Sequence, residues 1–256
     1  MMSILDKVTI SGPKAPRITI YGRPGIGKST LATQFPKPLF LLTEEVGLLG
    51  IESLPLIQSF DEMWSTVIAL LKEENLPYKT IVIDSISKLD YLLVKYILDQ
   101  EPANKNGKAA TLNSACGGYG AGALKAQSLY RALKVHLDKF QERGIAVVYL
   151  SHYVSTKVKS PESEDYDMAS IVMNSDKSRE VFIDDVDAVL FCKNKTYYVE
   201  TESGRTLAQS TGEQVIVTGA SDAYVAKNRY GMPSEIGQSF EEIAKYIPFY
   251  NQEIQE

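Results

Sequence analysis

Apolar positions along this chain repeat at two different periods, and the switches between them mark its elements. Residues 17–21 (RITIY) are a β-branched run that enters a Gly/Pro turn, and residues 39–42 (LFLL), 80–83 (TIVI) and 145–150 (IAVVYL) are further apolar runs of strand length. Unbroken runs of this kind suit strands buried on both faces, as parallel sheets require. Between them the period lengthens to that of a helix. Ser59 and Glu62 form a capping box that opens a helix reaching Glu74. Leu89, Leu92, Leu93, Tyr96 and Ile97 share one face of a predicted helix over 85–100, and another is expected over 123–143, closed by Gly144. A short helical segment, 29–34, follows the turn after the first strand. Strand alternating with helix predicts an α/β fold, with a mostly parallel central sheet and helices on both faces.

Two long segments break the alternation. Residues 102–122 are rich in Gly, Ala, Asn and Lys, with glycines at 117, 118, 120 and 122, and residues 151–177 are polar, with acids at 162, 164, 165 and 167. Both read as mobile loops. In the last third, residues 186–191, 196–200, 213–218 and 223–227 are strand-like and separated by short turns, which predicts an antiparallel C-terminal extension of the sheet. Ser239 and Glu242 cap a short final helix. No linker-like stretch interrupts the chain, so one domain is expected over 1–256.

Composition narrows the class. The 256 residues carry 27 Lys plus Arg against 32 Asp plus Glu, a net charge of -5, and are 44% hydrophobic, as in ordinary soluble globular proteins. The acidic balance argues against coating nucleic acid by bulk charge and leaves room only for local basic loops. Cys116 and Cys192 are too few for a disulfide framework or a four-cysteine zinc site. No apolar run approaches the ~20 residues of a transmembrane helix. The start of the chain has no signal-peptide pattern, so a soluble cytoplasmic protein with no membrane role is expected.

The chemistry concentrates in residues 22–30, GRPGIGKST, which carry the phosphate-binding pattern G-x-x-x-x-G-K-[ST] between a strand and a helix. The backbone of Gly22, Arg23, Pro24, Gly25, Ile26 and Gly27 can turn its N–H groups inward around phosphate oxygens, with the helix N-terminus behind them. Lys28 is placed for the β- and γ-phosphates, the Ser29 hydroxyl for Mg²⁺, and Thr30 follows. Asp84 ends the run IVID and supplies the second metal-positioning carboxylate. ATP and Mg²⁺ are therefore the expected ligands. Many such ATPases place a glutamate directly after this aspartate, but here Ser85 stands there. The water-orienting carboxylate is then expected from Glu44 or Glu45 at the end of the second strand, with Glu44 preferred on register. Ser151 and His152 end the fourth strand in the same crevice, where His152 could report the γ-phosphate; His136 sits within a helical pattern and reads as structural. In VAKNRYGMP (225–233), Lys227 and Arg229 flank Asn228 and project to one face. They suit either a finger reaching a neighbouring subunit's nucleotide or a basic edge that discourages aggregation, and spacing alone leaves both open.

The KNRYG segment resembles the KNRFG motif of bacterial RadA proteins and is similar to the K-N-K segment that RecA places across its subunit interface against ATP. LFLLTEE resembles the RecA-like strand that ends in a catalytic glutamate, and VVYLSH the strand that bears their polar γ-phosphate sensor. The order of these motifs matches a RecA-like P-loop core over about 15–235. The compact length and the AKNRYGMP ending most resemble phage recombination ATPases of the Sak single-strand-annealing group, relatives of RadA and KaiC. His152 replaces the glutamine of RecA, the apolar Leu42 stands where many relatives have aspartate, and RecA's extra terminal domains have no room. The resemblance implies a homo-oligomer, ring or filament, with ATP at subunit interfaces, acting on single-stranded DNA, with a single-strand DNA-binding protein as a further candidate partner. It puts DNA on the two long loops, where Lys105, Lys108, Tyr119, Tyr153, Lys157 and Lys159 supply cations and stacking rings. A KaiC-like regulatory ATPase and a small-molecule kinase are the rivals; the long segments have no lid arginine before Arg179, which disfavours the kinase.

Overall fold

The structure is a computed structural model that describes residues 8, 12–101, 108–158, 164–200 and 206–252. The central strands follow the apolar runs: β1 (Arg17–Gly22), β2 (Pro38–Leu42), β3 (Thr80–Asp84), β4 (Ala146–Val158) and, after the shorter β5 (Tyr166–Ile171), β6 (Ala188–Glu200). Strands β7 (Thr206–Val217), β8 (Lys227–Asn228) and β9 (Glu235–Gly237) complete the sheet, whose main path runs β2-β3-β4-β1-β6-β7-β9. The pairs β2–β3, β3–β4, β4–β1 and β1–β6 are parallel, whereas β6–β7 and β7–β9 are antiparallel. This is the expected α/β architecture with its antiparallel C-terminal extension.

Burial explains the inner strands. Alternate residues of β1 divide between two cores: Tyr21 faces one with Leu41, Ile83 and Tyr149, and Ile18 and Ile20 face the other with Val82 and Val148. The first face is covered by α2 (Phe60–Lys72), α3 (Ile86–Gln100) and α4 (Ala121–Glu142) through residues such as Met63, Leu89 and Leu133. The second is covered by α1 (Lys28–Thr33) and, after α5 (Asp176–Ile183), by the C-terminal α6 (Phe240–Ala244) and α7 (Pro248–Gln252), through Leu31, Ile243 and Tyr250. Local signals set the helix starts. The Ser59 hydroxyl accepts from Glu62 N at 3.1 Å, while the Glu62 carboxylate accepts from Gln58 N at 2.8 Å.

Several expectations require correction. Much of 151–177 is not a loop. β4 continues past Leu150 to Val158 and pairs antiparallel with β5, with Tyr153 opposite Ile171 and Lys157 opposite Asp167. The reason is backbone pairing: Ser155, Thr156 and Lys157 have loop-like side chains, yet their strand pairs antiparallel with Asp167–Ala169 of β5, whose backbone groups satisfy theirs. Lys177 lies in α5, a helix the periodicity did not indicate. Residues 186–191 and 196–200 belong mostly to one strand, β6, which keeps its pairing with β7 through a register shift between Asn194 and Thr196. The strand expected over 223–227 shrinks to bridges at Tyr224 and the two-residue β8. In the other expected loop, the described part packs locally: Leu112 and Ala115 are buried, and a 3-10 turn spans Ala115–Gly117. No helix among the described residues is long and apolar enough to cross a membrane.

Candidate nucleotide site

Four neighbouring parallel strands deliver their carboxyl ends to one place. β4 lies between β1 and β3, with Gly22 level with His152 and Asp84 level with Leu150, while Leu42 of β2 is level with Asp84. The chain turns from β1 through residues 23–27 into α1. Glycine is required at both ends of this turn. A side chain at Gly22 would drive into the Cys192 carbonyl of β6, and Gly27 holds φ at 86°. The loop is braced from the far end of the chain, where Gln238 Nε2 donates to the Ile26 carbonyl at 2.7 Å.

The side chains gather around a cavity of about 400 Å³ lined by Pro24, Gly25, Gly27, Lys28, Ser29, Thr30, Glu44, Glu45, Asp84 and His152, with residues 46–48 at its rim. Lys28 is 8% exposed, and its ammonium donates to the carbonyls of Gly22 and Arg23, both at 3.1 Å. Burial lowers its pKa, and the negative potential of the Asp84 and Glu44 carboxylates counters that shift. Ser29 Oγ donates to Asp84 Oδ2 at 2.6 Å. Asp84 is 4% exposed; burial pushes its pKa up, and the bond from Ser29 works against this. A hydroxyl and a carboxylate in contact are hard oxygen donors of the kind Mg²⁺ takes from protein, the remaining positions coming from phosphate and water. Among the described residues no cluster of three or more His, Cys, Asp or Glu could hold a metal by itself. The donor set therefore fits a magnesium ion carried in with a nucleotide.

Glu44 reaches into the same cavity, and its Oε1 lies 2.9 Å from His152 Nε2. That bond, with help from Ser85 and the charge of Lys28, holds the Glu44 carboxyl below the usual range, so it stays a carboxylate. Thr43 fixes the adjoining backbone: its hydroxyl accepts from Ser85 N at 2.9 Å and donates to Ser85 O at 2.8 Å. Ser87 Oγ accepts from His152 N at 3.0 Å and meets Ser151 Oγ at 2.9 Å, pinning the β4 segment that carries the histidine. Glu45 is exposed at the rim. The geometry thus pairs Glu44, not Glu45, with the histidine.

Other expected site residues lie elsewhere. Arg23 faces away from this cavity and sits over the Tyr153 ring at 5.6 Å. It helps line a second cavity of about 420 Å³ with Tyr153, Phe191, Lys193 and Tyr224. There Tyr21, Tyr153 and Tyr224 stack around Phe191 at 4.8, 5.8 and 5.0 Å. Lys108, Tyr119 and Lys157 are exposed, and Lys105 and Lys159 lie outside the described residues. Lys227 and Arg229 are far from this chain's own loop. β8 pairs with the opening residues of β6, so Arg229 stands level with Arg17, five positions before Gly22 and about 16 Å away along the strand direction.

No curated protein sequence matches the chain. Solved structures similar to it include the following two. The RadB recombinase is 13% identical, with 80% of each chain covered and a TM-score of 0.43. A KaiC-like protein from Pyrococcus horikoshii OT3 is 14% identical, with 80% of this chain and 85% of that one covered and a TM-score of 0.37. A sequence family described as an AAA domain matches residues 14–230. A match of that extent, from the strand before the phosphate-binding loop to the end of the KNRY segment, makes this protein a member of the AAA-domain family.

Proposed function

We propose that this protein is a RecA-like ATPase that works as a homo-oligomer on single-stranded DNA, in recombination or strand annealing. One observation carries the ATPase reading. A buried lysine, a serine bonded to a buried aspartate, and a glutamate bonded to a histidine all open onto one cavity at the end of β1. Lys28 and the loop amides hold the phosphates, Ser29 and Asp84 hold the accompanying magnesium, and the ion when bound neutralises phosphate charge. Glu44 accepts a hydrogen bond from the attacking water and aims it, and its depressed pKa keeps it an acceptor at neutral pH. His152 competes for the same carboxylate and starts the β4–β5 hairpin, so a change at the phosphates can be passed to that hairpin. Arg229 and Lys227, too far from their own loop, act on the nucleotide of an adjoining copy.

The DNA reading is supported by the exposed cations of Lys108 and Lys157 and the exposed ring of Tyr119, on the segment after α3 and on the outer part of β4. The test is ATP turnover with and without single-stranded oligonucleotide. Stimulation by the oligonucleotide supports the reading. Turnover that ignores DNA while phosphate appears on an added small-molecule acceptor would replace it with a kinase, and magnesium-nucleotide binding without turnover would leave a nucleotide-gated binder.

A further inference from the structure

The two cations of the KNRYG segment are not free rim charges. Both are fastened to the connection between α5 and β6, residues 183–187. Lys227 Nζ donates to the carbonyls of Ile183 at 3.3 Å and Asp184 at 2.5 Å. Arg229 donates twice to Asp187, from Nη1 to Oδ1 at 3.1 Å and from its backbone N to the backbone carbonyl at 3.3 Å. Asp187 is itself tied down from other sides. Its carboxylate also accepts from Arg17, through the backbone N at 2.9 Å and through Nε and Nη2, both at 3.2 Å. Gln141 Nε2 adds a contact at 3.4 Å. The Asp187 side chain is 12% exposed, whereas that of Arg229 is 53% exposed. Only Nη1 of the Arg229 guanidinium is engaged among the described residues, and the rest of the fork borders a charged cavity of about 400 Å³.

We propose that Asp187 is a positioning residue for the trans-acting Arg229, fixing its guanidinium on one side so that the other side is presented to the neighbouring copy's phosphates. This rests on the reading of Arg229 as acting between copies. The physical reason is pre-organisation. A solvated arginine loses rotamer freedom when it grips a phosphate, and one already held by a buried carboxylate has lost much of it in advance. The planar fork makes this possible, because one nitrogen can face aspartate while others face phosphate. Lys227 lacks such a fork and has its ammonium on carbonyls, so Arg229 is the better presented of the two. Asp187 also anchors the arginine to Arg17, the first residue of the strand that ends in this chain's own phosphate-binding loop.

Mixed assemblies of full-length copies test the proposal. Lys28→Ala copies lack phosphate binding but keep Arg229, and Arg229→Ala copies keep the loop but lack the finger. Their mixture is expected to regain turnover that neither shows alone. Replacing the first partner by the double variant Lys28→Ala with Asp187→Asn is expected to give turnover at least about tenfold lower. The KM for ATP and the assembly mass should match those of the first mixture. Full restoration by the double variant overturns the role of Asp187. No turnover in the first mixture overturns the trans reading itself, whatever Asp187 does. If Asp187→Asn fails to assemble, Lys28→Ala with Arg229→Lys takes its place. Lysine cannot face Asp187 and phosphate together, so full rescue by it also overturns the proposal, and rescue as poor as expected for Asp187→Asn supports it.

Discussion

Lys28 is a buried ammonium kept charged by its neighbours more than by water. Its direct bonds are to the neutral carbonyls of Gly22 and Arg23, so an apolar side chain of similar shape removes its desolvation cost and offsets the loss of those bonds. Lys28→Met is therefore expected to keep or raise the melting temperature while abolishing magnesium-nucleotide binding, checked by thermal melting beside a fluorescent-nucleotide titration. Glu44→Gln should lower turnover by about 100-fold or more with nucleotide binding retained, the scale of a lost general base. Glu45→Gln, at the exposed rim, should turn over near the unmutated rate, and the reverse ranking would assign the water to Glu45. What could be read in the sequence at this scale was what is local. Residues 22–30 and Asp84 announce themselves because the chemistry needs those types at fixed short spacing. The Glu44–His152 bond joins residues 108 positions apart and the Gln238 brace reaches 212 back, so no window along the chain contains either. Asp187 had no local signature, because its meaning comes from the two arginines that tertiary structure brings to it. Arg23 shows the limit from the other direction: the motif speaks for its backbone, and nothing local says that its side chain lies over Tyr153.

At the level of elements, strands buried on both faces were legible because burial itself writes the apolar run. The outer parts of β4, β5 and β6 were not, because hydrogen bonding to a partner strand holds them with only partial burial. The two hairpins meet in an aromatic cluster. Phe191 on β6 is 5% exposed and touches rings from β1, β4 and the turn at Tyr224. Phe191→Ala is expected to cost about 3–5 kcal/mol through lost burial and a cavity. Urea denaturation measures that cost. Tyr119→Ala, at a fully exposed position, should change stability by less than about 0.5 kcal/mol. If Tyr119 stacks a base, the same substitution should weaken oligonucleotide binding by about 1–3 kcal/mol.

Across the whole molecule, one carboxylate links acid stability to the sheet's far end. Burial alone would raise the Asp187 pKa, but the bonds from Arg17 and the charges of Arg17 and Arg229 outweigh it and hold it below the usual range. Its contribution is complete above the unfolded value near pH ~4 and is lost as pH falls through the lower folded value. Asp187→Asn should flatten the acid limb of the stability curve below about pH 4 and leave the neutral region's slope unchanged, followed by urea midpoints against pH. The proposed sharing of nucleotide between copies predicts that ATP and oligonucleotide together raise the solution mass, read by light scattering, and that Lys28→Ala prevents the rise. A separate consequence follows from the brace on the phosphate-binding loop. Ile236, Ile243, Ile247 and Tyr250 lie in the core beneath α1, and Phe240 packs on Phe35 at 4.8 Å. All of these except Phe35 lie beyond the last position that the family match reaches. A version shortened to residue 232 would retain every signature by which its relatives are recognised and yet have a slack cradle, so homology alone is an unsafe guide to where this protein can be trimmed.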